Sequence, residues 1–244
     1  MDPNRPDPTR REVVRQTLLD AIPRWYSPWL HLLGTTGVGI AALALAAFRI
    51  RALRPAELLI VPATLVLANF IEWHAHKNLL HRRRFPTVLY DRHTPQHHVV
   101  YTEEAMAIRD PRELRLVLIP ATGVLAVVVT TAPFALLSAL LFSANTGYLL
   151  LATAAVYVVS YELSHLAYHL PESTFIGRSR LVRVLREHHA RHHDPRRMQQ
   201  WNFNVTLPLW DWILGTLAPA HGKGTRVRPK HADAESAKGS ALRG

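Results

Sequence analysis

The sequence predicts an all-α integral membrane protein: two transmembrane helical hairpins, about four spans in all, beneath a cytoplasmic helical cap rich in histidine. Three observations lead there. Four long stretches are almost free of charge, arginines gather at one end of them, and twelve of the fifteen histidines fall into four short clusters. Cysteine is absent, so disulfides, thiolate metal sites and a cysteine nucleophile are excluded.

The chain opens with MDPNRPDPTRR, which is polar, proline-rich and unlike a cleaved signal peptide. Residues 1–31 read as a polar arm with a leading helix from about Glu12. Residues 32–220 form the membrane domain. Its first apolar stretch, Leu32–Phe48, contains Gly34, Gly37 and Gly39. The second, Leu58–Trp73, has only Asn69 and Glu72 as strongly polar members. The third, Leu116–Phe142, is uncharged and interrupted by Pro120 and Pro133. The fourth, Thr146–Ser160, continues as YELSHLAYH. A span needs about 20 apolar residues, roughly 17 at the short end. The first, second and fourth are therefore marginal alone, while the third can tilt or kink. Residues 221–244 are Gly/Ser/Lys-rich and read as a disordered basic tail.

Charge sets the orientation. SANTG at 143–147 has no basic residue and suits a non-cytoplasmic turn, whereas Arg82, Arg83 and Arg84 precede the third stretch and Arg178, Arg180 and Arg183 follow the fourth. The positive-inside rule places both basic regions, and all four histidine clusters, on the cytoplasmic side. The loop RIRALR at 49–54 then falls outside despite its three arginines; a shallow first hairpin that barely crosses relieves that conflict. A formal charge of +11 invites a nucleic-acid partner, but the arginines flank spans and form no reading module, so no nucleic acid is expected.

The clusters are HAHKNLLH at 74–81, HTPQHH at 93–98, HLAYH at 165–169 and EHHARHH at 187–193. Imidazole is the commonest metal ligand. His165 and His169 share a helix face. The adjacent pairs His97/His98 and His192/His193 point about 100° apart on a helix, poor for one ion but suited to straddle two. His76 and His81, five apart, point to different ions or to a helix ending between them. His76, His81, His93, His97, His98, His165, His169, His189, His192 and His193 are more donors than one ion takes, so two ions with roughly five each fit a dimetal site. Imidazole alone leaves iron, copper, nickel and zinc open. Glu72, Asp91, Glu162 and Asp194 are expected to hold imidazole N–H groups from outside the ligand shell. His31, His221 and His231 read as ordinary satisfied polar residues.

A histidine-rich metal-binding or metal-transport protein is the alternative. Transport requires ionisable residues lining the spans, and stretches one, three and four hold almost none before Glu162. A zinc hydrolase lacks its HExxH or serine motif.

Taken together, the four clusters resemble the histidine boxes of the membrane-bound fatty acid hydroxylase (sterol desaturase) superfamily: H-x(3,4)-H, H-x(2,3)-HH, H-x(3)-H and H-x(2)-HH. The matching runs begin at His76, His93, His165 and His189, and NFNVTLPLWDWILGT at 202–216 resembles the family's ending. His74 and His188 fall outside the pattern. The HLAYH box favours the hydroxylase branch over the acyl-chain desaturases. The resemblance implies a non-haem di-iron oxygenase, with two iron ions, dioxygen and two electrons hydroxylating or desaturating an unactivated C–H bond of a lipid. No fused haem or flavin domain is visible. An external electron donor is therefore expected, a ferredoxin or a haem cytochrome with its reductase. Arg82, Arg83 and Arg84 are expected at the membrane surface, against anionic lipid or an acidic donor.

Overall fold

The structure, a computed structural model, describes residues 8–219. Helix α1 (Pro8–Asp20) leads into α2 (Pro28–Arg49), which starts where Ser27 accepts Leu30 N–H at 3.3 Å and proline takes the first helical position. Helix α3 (Ile60–Ala75) is preceded by a 3₁₀ turn, Pro55–Leu59, and prolonged by a π turn, His76–Leu80. Short helices α4 (Val88–Arg92) and α5 (His98–Val100) flank a second π turn, His93–His97. After α6 (Leu114–Val117), the chain breaks at Pro120 and resumes as α7 (Ala121–Leu141), then α8 (Ala144–His169). Helices α9 (Arg180–His192) and α10 (Leu209–Ile213) complete the described residues. The tail expected over 221–244, the first seven residues of the arm, and His221 and His231 lie outside them.

Four helical segments are long and apolar enough to cross a membrane: Pro28–Arg49, Pro55–Leu80, Pro111–Leu141 and Ala144–His169. Each outruns its apolar stretch because its polar ends are taken up by neighbouring structure. By length alone, the first hairpin need not be shallow. Helix α2 has 22 residues, about 33 Å at 1.5 Å per residue, against a hydrocarbon core of about 30 Å. Two of the three arginines of its turn are absorbed locally. Arg51 donates to the carbonyls of Phe48 and Ile50 at 2.6 and 2.9 Å, and Arg54 pairs with Glu57 at 3.1 Å.

That end of the bundle is clasped. The buried Glu57 carboxylate accepts from Ser143 Oγ at 2.6 Å and Asn145 Nδ2 at 3.0 Å, and Asn145 Nδ2 also donates to Arg51 O at 2.7 Å. The turn of the first hairpin is thereby tied to that of the second. Helix α8 is the central element, packing against α2, α3 and α7. Small residues let it in: a Cβ on Gly147 would lie 2.6 Å from Ala135 O on α7. Outward-facing Leu33, Ile40 and Phe48 on α2 and Phe134, Leu137 and Leu140 on α7 stay exposed, as a lipid-facing surface requires.

At the opposite end, α8 runs into the cap, whose small core comprises Val100, Tyr101, Leu114, Val117, Leu118 and Leu166. The segment 202–216 folds back along α3: Trp73 Nε1 donates to Thr216 Oγ1 at 2.9 Å, and Trp210 Nε1 to Val66 O at 3.0 Å.

Gly147→Val is expected to force α7 and α8 apart, destabilising by about 1–3 kcal/mol, the usual range for overpacking, and lowering the midpoint of thermal unfolding in detergent. Gly37→Ala, whose Cβ would meet nothing within 4 Å, is expected to leave that midpoint unchanged or raised.

Candidate metal centre

Two groups of five histidines form inside the cap. His76, His81, His93, His98 and His192 make the first, and His97, His165, His169, His189 and His193 the second; within each, one ring nitrogen per residue lies within 4.8 Å of the others. All ten side chains are buried. The neighbours His97/His98 and His192/His193 are divided between the groups, while His165/His169 and His189/His193, each four apart, stay together in the second.

The five-residue spacing decides between the two readings left open, different ions or a helix ending between the pair. His76 and His81 share one group and are not assigned to different ions, because the chain between them is a π turn in which His81 N–H donates to His76 O at 3.2 Å. An i→i+5 turn brings residues five apart onto one side. The second π turn does the same for His93 and His98. Such turns recur at functional sites.

Each outward-facing nitrogen reveals what the inward one can do. His76 Nδ1 faces Phe203 O, and His192 Nδ1 faces Trp201 O at 2.8 Å. In the second group His97 faces Leu116 O at 3.0 Å, His165 faces Val117 O at 3.1 Å, His169 faces Met106 O at 2.7 Å and His193 faces Tyr101 O at 2.7 Å. A carbonyl only accepts, so Nδ1 carries the proton in all six, and Nε2 keeps its lone pair. Thr94 Oγ1 donates to Leu80 O at 2.7 Å and so turns a lone pair to His81 Nδ1 at 3.3 Å. The Nε2 atoms of His81 and His192 approach to 2.9 Å, and those of His97 and His165 to 3.2 Å. Donors about 2.1 Å from an ion and at right angles to one another lie about 3 Å apart. His169 Nε2, buried, has no hydrogen-bond partner. The donor set therefore fits a pair of ions.

Burial, reinforced by neighbouring imidazoles, holds the cap histidines neutral. It pushes His81 down to about 2 and His93, His97, His98, His189 and His192 well below the usual imidazole range. Burial also takes His193 down to about 3, against the opposing pull of its bond to Tyr101 O. Neutral imidazoles are the metal-binding form.

The four carboxylates expected beside the imidazoles bond none of them. Asp91 pairs with Arg83 at 3.0 Å on the surface, and Asp194 caps the turn after α9 by accepting from Arg196 N–H at 2.9 Å. Glu72 and Glu162 lie deeper but act on the main chain. Glu72 accepts from the N–H groups of Val205 and Thr206, and Glu162 from that of Ile119 at 2.9 Å. Backbone carbonyls take the place foreseen for carboxylates because six Nδ1–H groups already point at them.

Two acids missed by the sequence reading steady those carbonyls. Asp211, fully buried, accepts from Phe203 N–H at 2.9 Å and Asn204 N–H at 2.8 Å, fixing the loop that faces His76 and His192. Glu113, also fully buried, accepts from Tyr101 Oη at 2.8 Å beside the carbonyl that faces His193. Asp211 stood out only as an acid inside an apolar phrase, and Glu113 carried no signal. His74 is exposed, His188 Nε2 donates to Asn204 O at 3.1 Å, and His31 bonds Tyr26 and Ile119 O; none belongs to a group. Arg82, Arg83 and Arg84 are exposed.

A family model described as fatty acid hydroxylase matches residues 61–216. Among solved structures, full-length Scs7p with only its hydroxylase domain visible resembles the chain with a TM-score of 0.54 and 21% identity, covering 79% of this chain and 67% of that one. That likeness is one of fold. No curated protein matches.

His192→Ala is expected to reduce bound metal from two ions to one by elemental analysis, whereas His188→Gln keeps both. Asp211→Ala, which frees the loop without touching a histidine, is expected to weaken metal binding about 10- to 100-fold, as outer-shell changes do, measured by competition with a chelator.

Proposed function

The chain belongs to the fatty acid hydroxylase family, and on that premise we propose that this membrane dimetal enzyme hydroxylates, or desaturates, an unactivated C–H bond of a lipid with dioxygen and two externally supplied electrons. One observation carries the reading: two buried groups of five neutral imidazoles stand at the common end of four apolar helices. An unactivated C–H bond offers no acidic proton, so side-chain acid–base chemistry cannot open it, and a redox cofactor must. Two iron ions, one in each histidine group, would supply that chemistry when bound.

The rest of the work falls to the chain. The ten histidines offer lone pairs whose direction the carbonyls fix. Burial excludes water from the centre. Helix α8 passes from the apolar bundle directly to His165 and His169, so a hydrocarbon lying along the bundle is led to the second group. The exposed Arg82 and Arg84, with Arg178, Arg180 and Arg183, favour a cytoplasmic position for this end and offer an acidic electron carrier a landing site. A transport reading has less support, since the two strongly polar residues of the second span are engaged: Asn69 donates to Tyr157 Oη at 2.9 Å, and Tyr157 donates to Glu72.

Lipid extracts of cells expressing the protein are expected to contain a species one oxygen atom heavier, or two hydrogens lighter, than its precursor. Mass spectrometry finding neither, from cells in which the iron-loaded protein accumulates, would overturn the reading. Replacing Arg82, Arg83 and Arg84 together with glutamine is expected to slow donor-dependent turnover in a salt-sensitive way while insertion stays normal.

A further inference from the structure

Helix α1 lies before the family-matched residues, yet it docks on the cap, with Val14 and Leu18 against the cap core and Arg15 buried. Arg15 is only 2% exposed, and its Nη1 lies 2.6 Å from Glu113 Oε2. The same carboxylate oxygen accepts from Tyr101 Oη at 2.8 Å, and the Arg15 guanidinium also stands 5.5 Å from the centre of the Tyr101 ring. Tyr101 in turn touches the second histidine group twice over. Its ring centre is 4.6 Å from that of His169 and 5.1 Å from that of His97, and its carbonyl faces His193 Nδ1 at 2.7 Å. A continuous chain of contacts therefore runs from α1 to three of the five histidines. The first group is built otherwise: its carbonyls come from Trp201 and Phe203, and Asp211 steadies that loop.

We infer that Arg15 is a positioning residue chiefly for the second metal site, so that docking of α1 determines how tightly that site holds its ion. The inference rests on the dimetal reading. The guanidinium fixes the Glu113 carboxylate, the carboxylate fixes the Tyr101 hydroxyl, and the tyrosine main chain and ring fix His193, His169 and His97. Without Arg15, Glu113 is a buried unpaired charge that must draw in water or move, and Tyr101 follows. Of the first group these contacts approach only His98, which shares α5 with Val100, whose carbonyl accepts from Arg15 Nη2 at 3.4 Å, and which stacks on His193 at 4.2 Å; none touches His76, His81, His93 or His192.

The test uses the full chain in detergent with cobalt(II) as the probe, read by its visible absorption. Two backgrounds separate the groups: His81→Ala with His192→Ala leaves the second, and His165→Ala with His189→Ala leaves the first. In the first of these backgrounds Arg15→Met is expected to weaken cobalt binding about 10- to 100-fold, the usual outer-shell effect, with an altered absorption band. In the other background affinity stays within about twofold, below that outer-shell range. Arg15→Lys is expected to restore part of the loss. Arg15→Met combined with Glu113→Met leaves no stranded charge, and is expected to keep the unfolding midpoint while still losing affinity at the second site. Equal affinity in both backgrounds, or equal weakening in both together with a lowered unfolding midpoint, would overturn the inference and leave the dimetal reading intact. Failure of the otherwise unaltered chain to bind two cobalt ions would overturn both.

Discussion

A neutral imidazole has one N–H and one ring lone pair, and ten of them make a metal centre only if the lone pairs face inward. The constraint is met from outside by main-chain carbonyls. Six Nδ1–H groups are claimed by Phe203, Trp201, Leu116, Val117, Met106 and Tyr101. Each bond selects a tautomer and fixes a ring plane. The local structure around the site follows: the loop 201–206 and the segment 101–118 must stand where they do, because their carbonyls aim the histidines. The buried acids are then explained at one remove. Asp211, Glu72, Glu113 and Glu162 act on N–H and hydroxyl groups of these supports, leaving the imidazoles to the carbonyls.

Carbonyls differ from carboxylates in a way that matters for ten crowded rings. A carboxylate beside each imidazole would favour the charged form and would itself need to be buried at a considerable cost. A carbonyl orients without adding net charge. Neutral rings add no net charge, and their inward lone pairs, with Nε2–Nε2 distances of 2.9 to 3.2 Å, are spaced as donors to a shared ion would be. Dense packing of histidines and the use of the main chain as their support are thus two sides of one solution.

Much of this was legible in the sequence. The apolar stretches revealed the bundle because lipid demands uncharged helices. The adjacent pairs His97/His98 and His192/His193 revealed a division into two groups because a helix turns neighbours apart. The spacing of five left the choice open, since His76 and His81 would diverge on an α-helix and meet only through a π turn, whose presence no residue between them announces. The outer supports were hidden for a similar reason. Asp211 and Glu113 bind the backbone or a tyrosine hydroxyl, and such partners leave no mark at a fixed spacing. Arg15 was hidden too, as one arginine of several in a polar helix.

The clasp at the far end has a mechanical consequence. Because Glu57 and Asn145 join the turns of both hairpins, while α8 extends from that end into the second histidine group, the spans cannot splay independently. A bilayer thinner than the helices must therefore be met by leaning the whole bundle as one body. Leaning carries the cap with it and sets how close the centre stands to the headgroups.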